Sequence, residues 1–316
     1  MTHSSFTSNP AGLVLQNVSR RYGGTKALDG FSCTVPAGAT CAFIGANGAG
    51  KTTTFSILGG FLRRYRGRIG LEFPANAQPN ISLRSFRAAG GVIGLMPQDV
   101  QAFEDRTILA QLLLFSRLAG RSPREANVEV EGLLHATDLF QARRAEVASL
   151  SHGMRARFGI AQAFVGQPGV VLLDEPTGGL DPLHLAQVRK LLIRFKGRTT
   201  LMISSHDLSE LQGLCDYVVM IEAGRCIKQG RLDEVVGQKE LKSFWNIRGV
   251  FAEAQLQAAF PTLKFNLFDK KLEITSSLTA KNICDLIAWF DAADCAVLAF
   301  DRRTSLEEVY LEQVRT

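Results

Sequence analysis

The sequence predicts an α/β domain on a largely parallel sheet, with a helical subdomain inserted into it, followed by a small α+β domain. Three observations carry this. From residue 13 to about 230, short β-rich runs alternate with longer helical ones. Between residues 105 and 164 the apolar period becomes helical, through Ile108, Leu112 and Phe115 and then Leu133, Leu134 and Leu139. Beyond about residue 240 an independent pattern restarts. With 316 residues the chain has room for roughly two domains. Its 46% hydrophobic and 21% charged content is that of an ordinary globular protein, which excludes collagen-like, low-complexity and fully disordered classes.

In chain order, residues 1–12 are polar and lack the charged and apolar regions of a signal peptide, so they read as a flexible tail. The α/β domain is expected over residues 13–237. Its strands are expected at 40–44, 92–96, 170–173, 200–204 and 217–221, with the helical subdomain at about 100–165 and a surface loop at 74–79. Residues 241–316 read as strand (244–248), helix (252–260), two strands (263–267 and 272–275), helix (280–290), strand (295–300) and helix (306–314). This is a βαββαβ-like accessory domain.

The net charge of +6 belongs to the part before residue 241. An excess that small suits a nucleotide or an anionic surface and falls short of a nucleic-acid-binding stripe, so no nucleic-acid partner is expected. No run approaches the roughly 18 consecutive apolar residues of a spanning helix. Six cysteines (Cys33, Cys41, Cys215, Cys226, Cys284, Cys295) show no CxxC spacing and sit mostly in apolar text, which favours reduced core thiols over zinc or disulfides. The arginine clusters (Arg63, Arg64, Arg66, Arg68; Arg143, Arg144; Arg155, Arg157) read as solvated faces.

The chemistry begins at Gly45-Ala46-Asn47-Gly48-Ala49-Gly50-Lys51-Thr52. This run matches GxxxxGK[ST], follows a β run and precedes a helical one that starts at Thr53. The glycines let the loop curl so that backbone N–H groups face a phosphate chain, Lys51 adds a cation, and Thr52 offers a hydroxyl to Mg²⁺. Downstream, Val170-Val171-Leu172-Leu173 ends in Asp174 and Glu175. The first carboxylate suits a metal, and the second suits a water molecule to be activated.

Around these two elements the chain resembles the ATPase subunits of ABC transporters, a P-loop NTPase family of ABC type. Leu150-Ser151-His152-Gly153-Met154 resembles the signature motif, Gln98 in Met-Pro-Gln the Q-loop glutamine, and Gly179-Leu180-Asp181 the D-loop. His206 in Ser-Ser-His resembles the switch histidine, and Tyr22 in Arg-Tyr-Gly-Gly-Thr-Lys-Ala-Leu the aromatic that stacks on adenine. The resemblance implies ATP and Mg²⁺ as cofactors, with Thr52, Gln98 and Asp174 toward the metal. Glu175, His206 and Gln98 are then the catalytic set, and Tyr22, residues 45–53, Ser151, Gly153 and Asp181 bind nucleotide.

It also implies a second ATPase subunit, a homodimer being favoured, because one phosphate loop and one signature make half of a two-site machine. Separate transmembrane permease subunits are implied too, with the chain cytoplasmic and peripheral on the inner face of the membrane. The Ser-His-Gly-Met form of the signature and the tail text from Ser305 to Leu311 resemble the drug, polysaccharide and peptide exporter branch. His152 and Met154 depart from the usual Leu-Ser-Gly-Gly-Gln. If the second position needs a positive φ, His costs more there than Gly. A nucleotide-binding module without turnover is disfavoured by the presence of Glu175, and a ribosome-acting relative by the single cassette.

Overall fold

The computed structural model describes residues 10–73, 81–82, 92–205, 211, 213–236, 242–249, 251–268, 271–274, 278 and 280–303. His206, the tail before residue 10, the loop expected at 74–79 and the helix expected at 306–314 lie outside them. The chain divides into two compact units, residues 1–235 and 236–316.

The first unit begins with two long strands, β1 (Gly12–Tyr22) and β2 (Thr25–Val35), followed by β3 (Thr40–Ile44), helix α1 (Lys51–Leu58), β4 (Arg66–Glu72), β5 (Ile81–Ser82) and β6 (Ile93–Met96). Three helices follow: α2 (Ile108–Leu118), α3 (Pro123–Ala136) and α4 (His152–Ala163). The unit closes with β7 (Val170–Asp174), α5 (Pro182–Phe195), β8 (Thr200–Ser205), β9 (Tyr217–Glu222), β10 (Arg225–Arg231) and the short α6 (Leu232–Val236).

Six strands form one sheet in the order β10-β9-β3-β8-β7-β6, parallel except where β10 pairs with β9. Every residue of β3, β7 and β8 is buried. Strands covered on both faces need continuous apolar text, and Val170-Val171-Leu172-Leu173 supplies it.

Beside this sheet is a second, antiparallel one in the order β2-β1-β4-β5, which the reading of a largely parallel domain did not anticipate. Its cause is local. Tyr22 and Thr25 face each other across Gly23-Gly24, a two-residue connection that joins β1 to β2 as a hairpin, and Gly23 takes the positive φ such turns require. One core spans both sheets, with Phe43 stacked on Phe55 of α1 and edge-on to Phe31 of β2.

The helical insertion has its own core of Ile108, Leu112, Val130, Leu134, Leu139, Val147 and Phe158. Side chains set where each helix begins. Thr107 caps α2, Ser122 and Glu125 form a reciprocal capping box on α3, Ser151 caps α4 and Asp181 caps α5.

The second unit contains β11 (Lys242–Arg248), α7 (Glu253–Ala259), β12 (Phe265–Phe268), β13 (Lys271–Ile274), α8 (Ala280–Ala292) and β14 (Ala296–Arg303). Its sheet is antiparallel in the order β12-β13-β11-β14, so each helix links two strands that are not neighbours. Trp245, Leu256, Leu272, Leu286 and Phe290 build its core. The buried indole N–H of Trp245 donates to Ser243 Oγ at 2.9 Å, satisfying the one polar atom of that side chain.

All six cysteines are free; Cys33, Cys41, Cys215 and Cys295 are buried and Cys284 is exposed. Burial pushes the Cys215 thiol up to about 12, so it is unreactive at neutral pH.

Candidate functional site

The phosphate loop runs from the C-terminal end of β3 into α1, and its shape is fixed by crowding. A Cβ on Gly45 would lie 2.4 Å from the Ile221 carbonyl oxygen. Gly50 stands immediately before α1 at φ 115°, and a Cβ there would meet the Ala27 carbonyl oxygen at 2.7 Å. Only glycine fits both places. The Ala49 N–H donates back to Ala46 O at 3.1 Å, closing the loop on itself.

The Lys51 ammonium donates to Gly45 O at 2.6 Å and Ala46 O at 3.3 Å. It is almost fully buried. Desolvation lowers its pKa, and the nearby charges of Glu175 and Asp174 oppose that shift.

At the end of β7, Asp174 is 2% exposed. Its register partner on β8 is Ser204, whose hydroxyl donates to Asp174 Oδ1 at 2.5 Å, and Thr52 also bonds the carboxylate. Burial raises the pKa of Asp174, and these hydrogen bonds counteract it. Glu175 turns away from the strand into the left-handed region at φ 51°, a rare conformation for a non-glycine residue, with its N–H held by Ser204 Oγ at 2.9 Å. Its carboxylate accepts from Gln98 Nε2 at 3.4 Å.

A cleft of about 460 Å³ joins these groups, lined by Asn47, Gly48, Gly50, Lys51, Thr52, Thr53, Gln98 and Glu175, with Ala27 from β2. Gly45, Ala46 and Ala49 are not among the lining residues. Tyr22 sits near the hairpin end of β1, 45% exposed, with the Arg20 guanidinium 4.6 Å from its ring centroid. Among the described residues no three His, Cys, Asp or Glu side chains gather as a metal site.

Ser151, Gly153 and Asp181 are not in the cleft lining; they belong to a second cluster. Ser151 Oγ accepts from Met154 N at 3.3 Å as the cap of α4. His152 is the first residue of that helix and is not among the residues with positive φ, so the backbone penalty expected for it does not arise. Its Nε2 lies 3.1 Å from Gly178 O. Asp181 Oδ1 accepts from His184 N at 3.0 Å, and Oδ2 lies 2.6 Å from His184 Nδ1. The His184 ring seats against Gly153, where a Cβ would come within 2.3 Å of its Cδ2. His184, Ser204 and Ala27 were not singled out by the sequence reading. Ser204 was within reach of it, being the strand residue two before His206.

The ABC transporter family model matches residues 28–178. Nod factor export ATP-binding protein I of Burkholderia lata is 37% identical over 227 residues, covering 70% of this chain and 71% of that protein. The chain belongs to the ABC transporter ATP-binding family.

Human retinal-specific phospholipid-transporting ATPase ABCA4 is 35% identical over 207 residues, which is 66% of this chain and 9% of that protein. Among solved structures, a component of an ABC transporter complex from Clostridium perfringens aligns at TM-score 0.60 with 29% identity, over 71% of this chain and 89% of that one. An ATP-binding cassette of an ABC transporter in its ADP conformation aligns at TM-score 0.59 with 25% identity, over 71% and 92%. This family member is therefore the nucleotide-binding ATPase subunit of a transporter.

Proposed function

We propose that this ATPase subunit drives an exporter, as one of a pair of ATPase subunits acting on separate permease subunits, with Mg²⁺ accompanying ATP. The observation that carries the pairing is the separation of two surfaces. The cleft holds the phosphate loop, Gln98 and Glu175, whereas Ser151, Gly153 and Asp181 form a cluster that does not line it. A chain with a hydrolytic cleft and a detached signature completes its site by lending the signature to a second subunit, and two such exchanges make a closed, two-fold symmetric pair.

Within the cleft, the loop N–H groups and Lys51 hold the phosphates, and Glu175 accepts the proton of the attacking water. Gln98, bonded to Glu175, orients that water and reports its position to the helical insertion that follows. Tyr22 gives adenine a flat face, with Arg20 on the ring. His206 is assigned the γ-phosphate on its motif alone.

The oxygen donors available suit a hard cation: the Thr52 hydroxyl, the Gln98 amide oxygen and the buried Asp174 carboxylate, already tied to Thr52 and Ser204. When bound, Mg²⁺ neutralises charge on the β- and γ-phosphates.

Export is supported by relatives from Burkholderia lata and Rhizobium meliloti whose names denote export ATP-binding proteins. Among the described residues no helix is long and apolar enough to cross a membrane, so attachment to the inner face is assigned to the permease partner.

The test uses Glu175→Gln at saturating ATP and Mg²⁺, with mass measured by light scattering. A dimer that reverts to monomer without ATP is expected. A monomer under both conditions, with ATP binding verified by calorimetry, overturns the pairing. Pull-down from detergent-solubilised membranes is expected to recover an integral membrane subunit.

A further inference from the structure

Away from the nucleotide cleft, the end of α3, helix α4 and helix α5 line a second, open cavity of about 290 Å³. Helical period sets its lining. Gln187, Lys190, Leu191 and Arg194 fall at i, i+3, i+4 and i+7 on one face of α5, while α4 contributes Arg157 and the end of α3 contributes His135 and the turn through Asp138.

Charge in the cavity is unbalanced, because Arg157, Lys190 and Arg194 face a single carboxylate, Asp138. Arg157 is 8% exposed. Its Nε donates to Gly153 O at 3.4 Å and its Nη1 to Asp138 Oδ2 at 3.0 Å, but the Asp138 carboxylate itself is largely in solvent. Lys190 and Arg194 are exposed to solvent, so the cavity is open on the α5 side. Arg194 is fixed by donation to Ala136 O at 3.1 Å. Gln187 Oε1 is buried without a hydrogen-bond partner.

The geometry points to a second ligand site here, for a small phosphorylated molecule. Two guanidinium groups and an ammonium that line one cavity from two helices suit the oxygens of a phosphate group. The volume admits a phosphate with a sugar-sized body. The ligand would act on turnover through Arg157, whose Nε grips the carbonyl of the signature glycine Gly153, and through α5, the helix that Asp181 caps.

Inorganic phosphate and glucose 6-phosphate, titrated separately by calorimetry into the full chain saturated with ADP and Mg²⁺, test the site. One binding event per chain is expected. Lys190→Glu and Arg194→Gln should each weaken it about tenfold or more while leaving ADP affinity unchanged, which certifies the fold. Tighter binding of the sugar phosphate supports a phosphorylated metabolite; equal binding supports free phosphate. No heat from either ligand at millimolar concentration overturns the site. So does binding that is undiminished in both variants, since that would place the anion beside ADP in the nucleotide cleft.

Discussion

The phosphate-loop end and the signature end of the first unit are built by opposite means. The loop is built from backbone: Gly45 and Gly50 are crowded by the carbonyl oxygens of Ile221 and Ala27, and no side chain but glycine fits. The signature end is built from side chains. Ser151 caps α4, His152 reaches Gly178 O, and Asp181 holds His184 against Gly153. A backbone site tolerates no change of residue at its tight points, whereas a side-chain site tolerates changes that keep the cap and the contact. That is why the loop fits its pattern residue for residue, while the signature carries His152 and Met154 in place of the usual residues.

The largest effect that sharpens this contrast is Glu175→Gln. It removes the group proposed above to take the water proton and leaves both frameworks standing. Turnover should fall by about 10²-fold or more, the scale of a lost general base, with ATP affinity retained and amide exchange in α4 unchanged in the nucleotide-free monomer. Altered exchange in α4 would mean that the two ends are one cooperative structure and the comparison is wrong.

Next comes Gly50→Ala. The φ of 115° costs an L-residue about 1–2 kcal/mol, and the added carbon meets Ala27 O. ATP affinity should drop about tenfold or more, since 1.4 kcal/mol is a factor of ten. Calorimetry giving the parent affinity would show that the loop yields, and that its glycines are a convenience of sequence.

What the sequence made legible follows the same division. The loop and the Asp174-Glu175 pair were readable because their chemistry demands residue types at fixed spacing beside an apolar strand. The helical insertion was readable from Ile108, Leu112, Leu133 and Leu134, which repeat at helical period. The antiparallel sheet was missed although Gly23-Gly24 marked its hairpin, because β1 and β4 are far apart in the chain and their pairing is set by the shared core around Ile69 and Leu71. His184 was not found because its partner Gly153 lies on another helix, and no local pattern encodes that contact. The left-handed backbone of Glu175 was equally hidden, since a Glu carries no sequence mark of it.

At the signature end, Ser151→Ala removes the acceptor of the Met154 N–H. Losing such a cap costs about 1 kcal/mol, so a fall of a few degrees in Tm is expected, with ATP affinity intact because Ser151 does not line the chain's own cleft. An unchanged Tm would move the start of α4 from Ser151 to its other contacts.

The smallest effect separates charge from cap at the same helix. Arg155 on α4 grips Glu104 through two bonds, Nη1 to Oε1 at 2.8 Å and Nη2 to Oε2 at 2.5 Å. The hydrogen bond from Arg155 holds the Glu104 carboxyl below its usual value of 4.5, and the backbone N–H and ring of His184 do the same for Asp181. A carboxyl whose folded pKa is depressed adds stability that is fully present above its unfolded value and is lost as pH falls through the folded one. Acidification below about pH 4.5 should therefore loosen the signature end. The phosphate loop has no carboxyl within it, and the Asp174 carboxyl bonded to Thr52 has a pKa raised by burial, so by the same linkage its protonation does not cost stability as pH falls. Exchange rates corrected for intrinsic chemistry should rise in the first turn of α4 before they rise at residues 45–50. Glu104→Gln should remove part of that difference, by a modest amount because the pair is solvent-exposed and screened. Equal acid sensitivity at both ends, in parent and variant alike, would show that side-chain charge is not what distinguishes them.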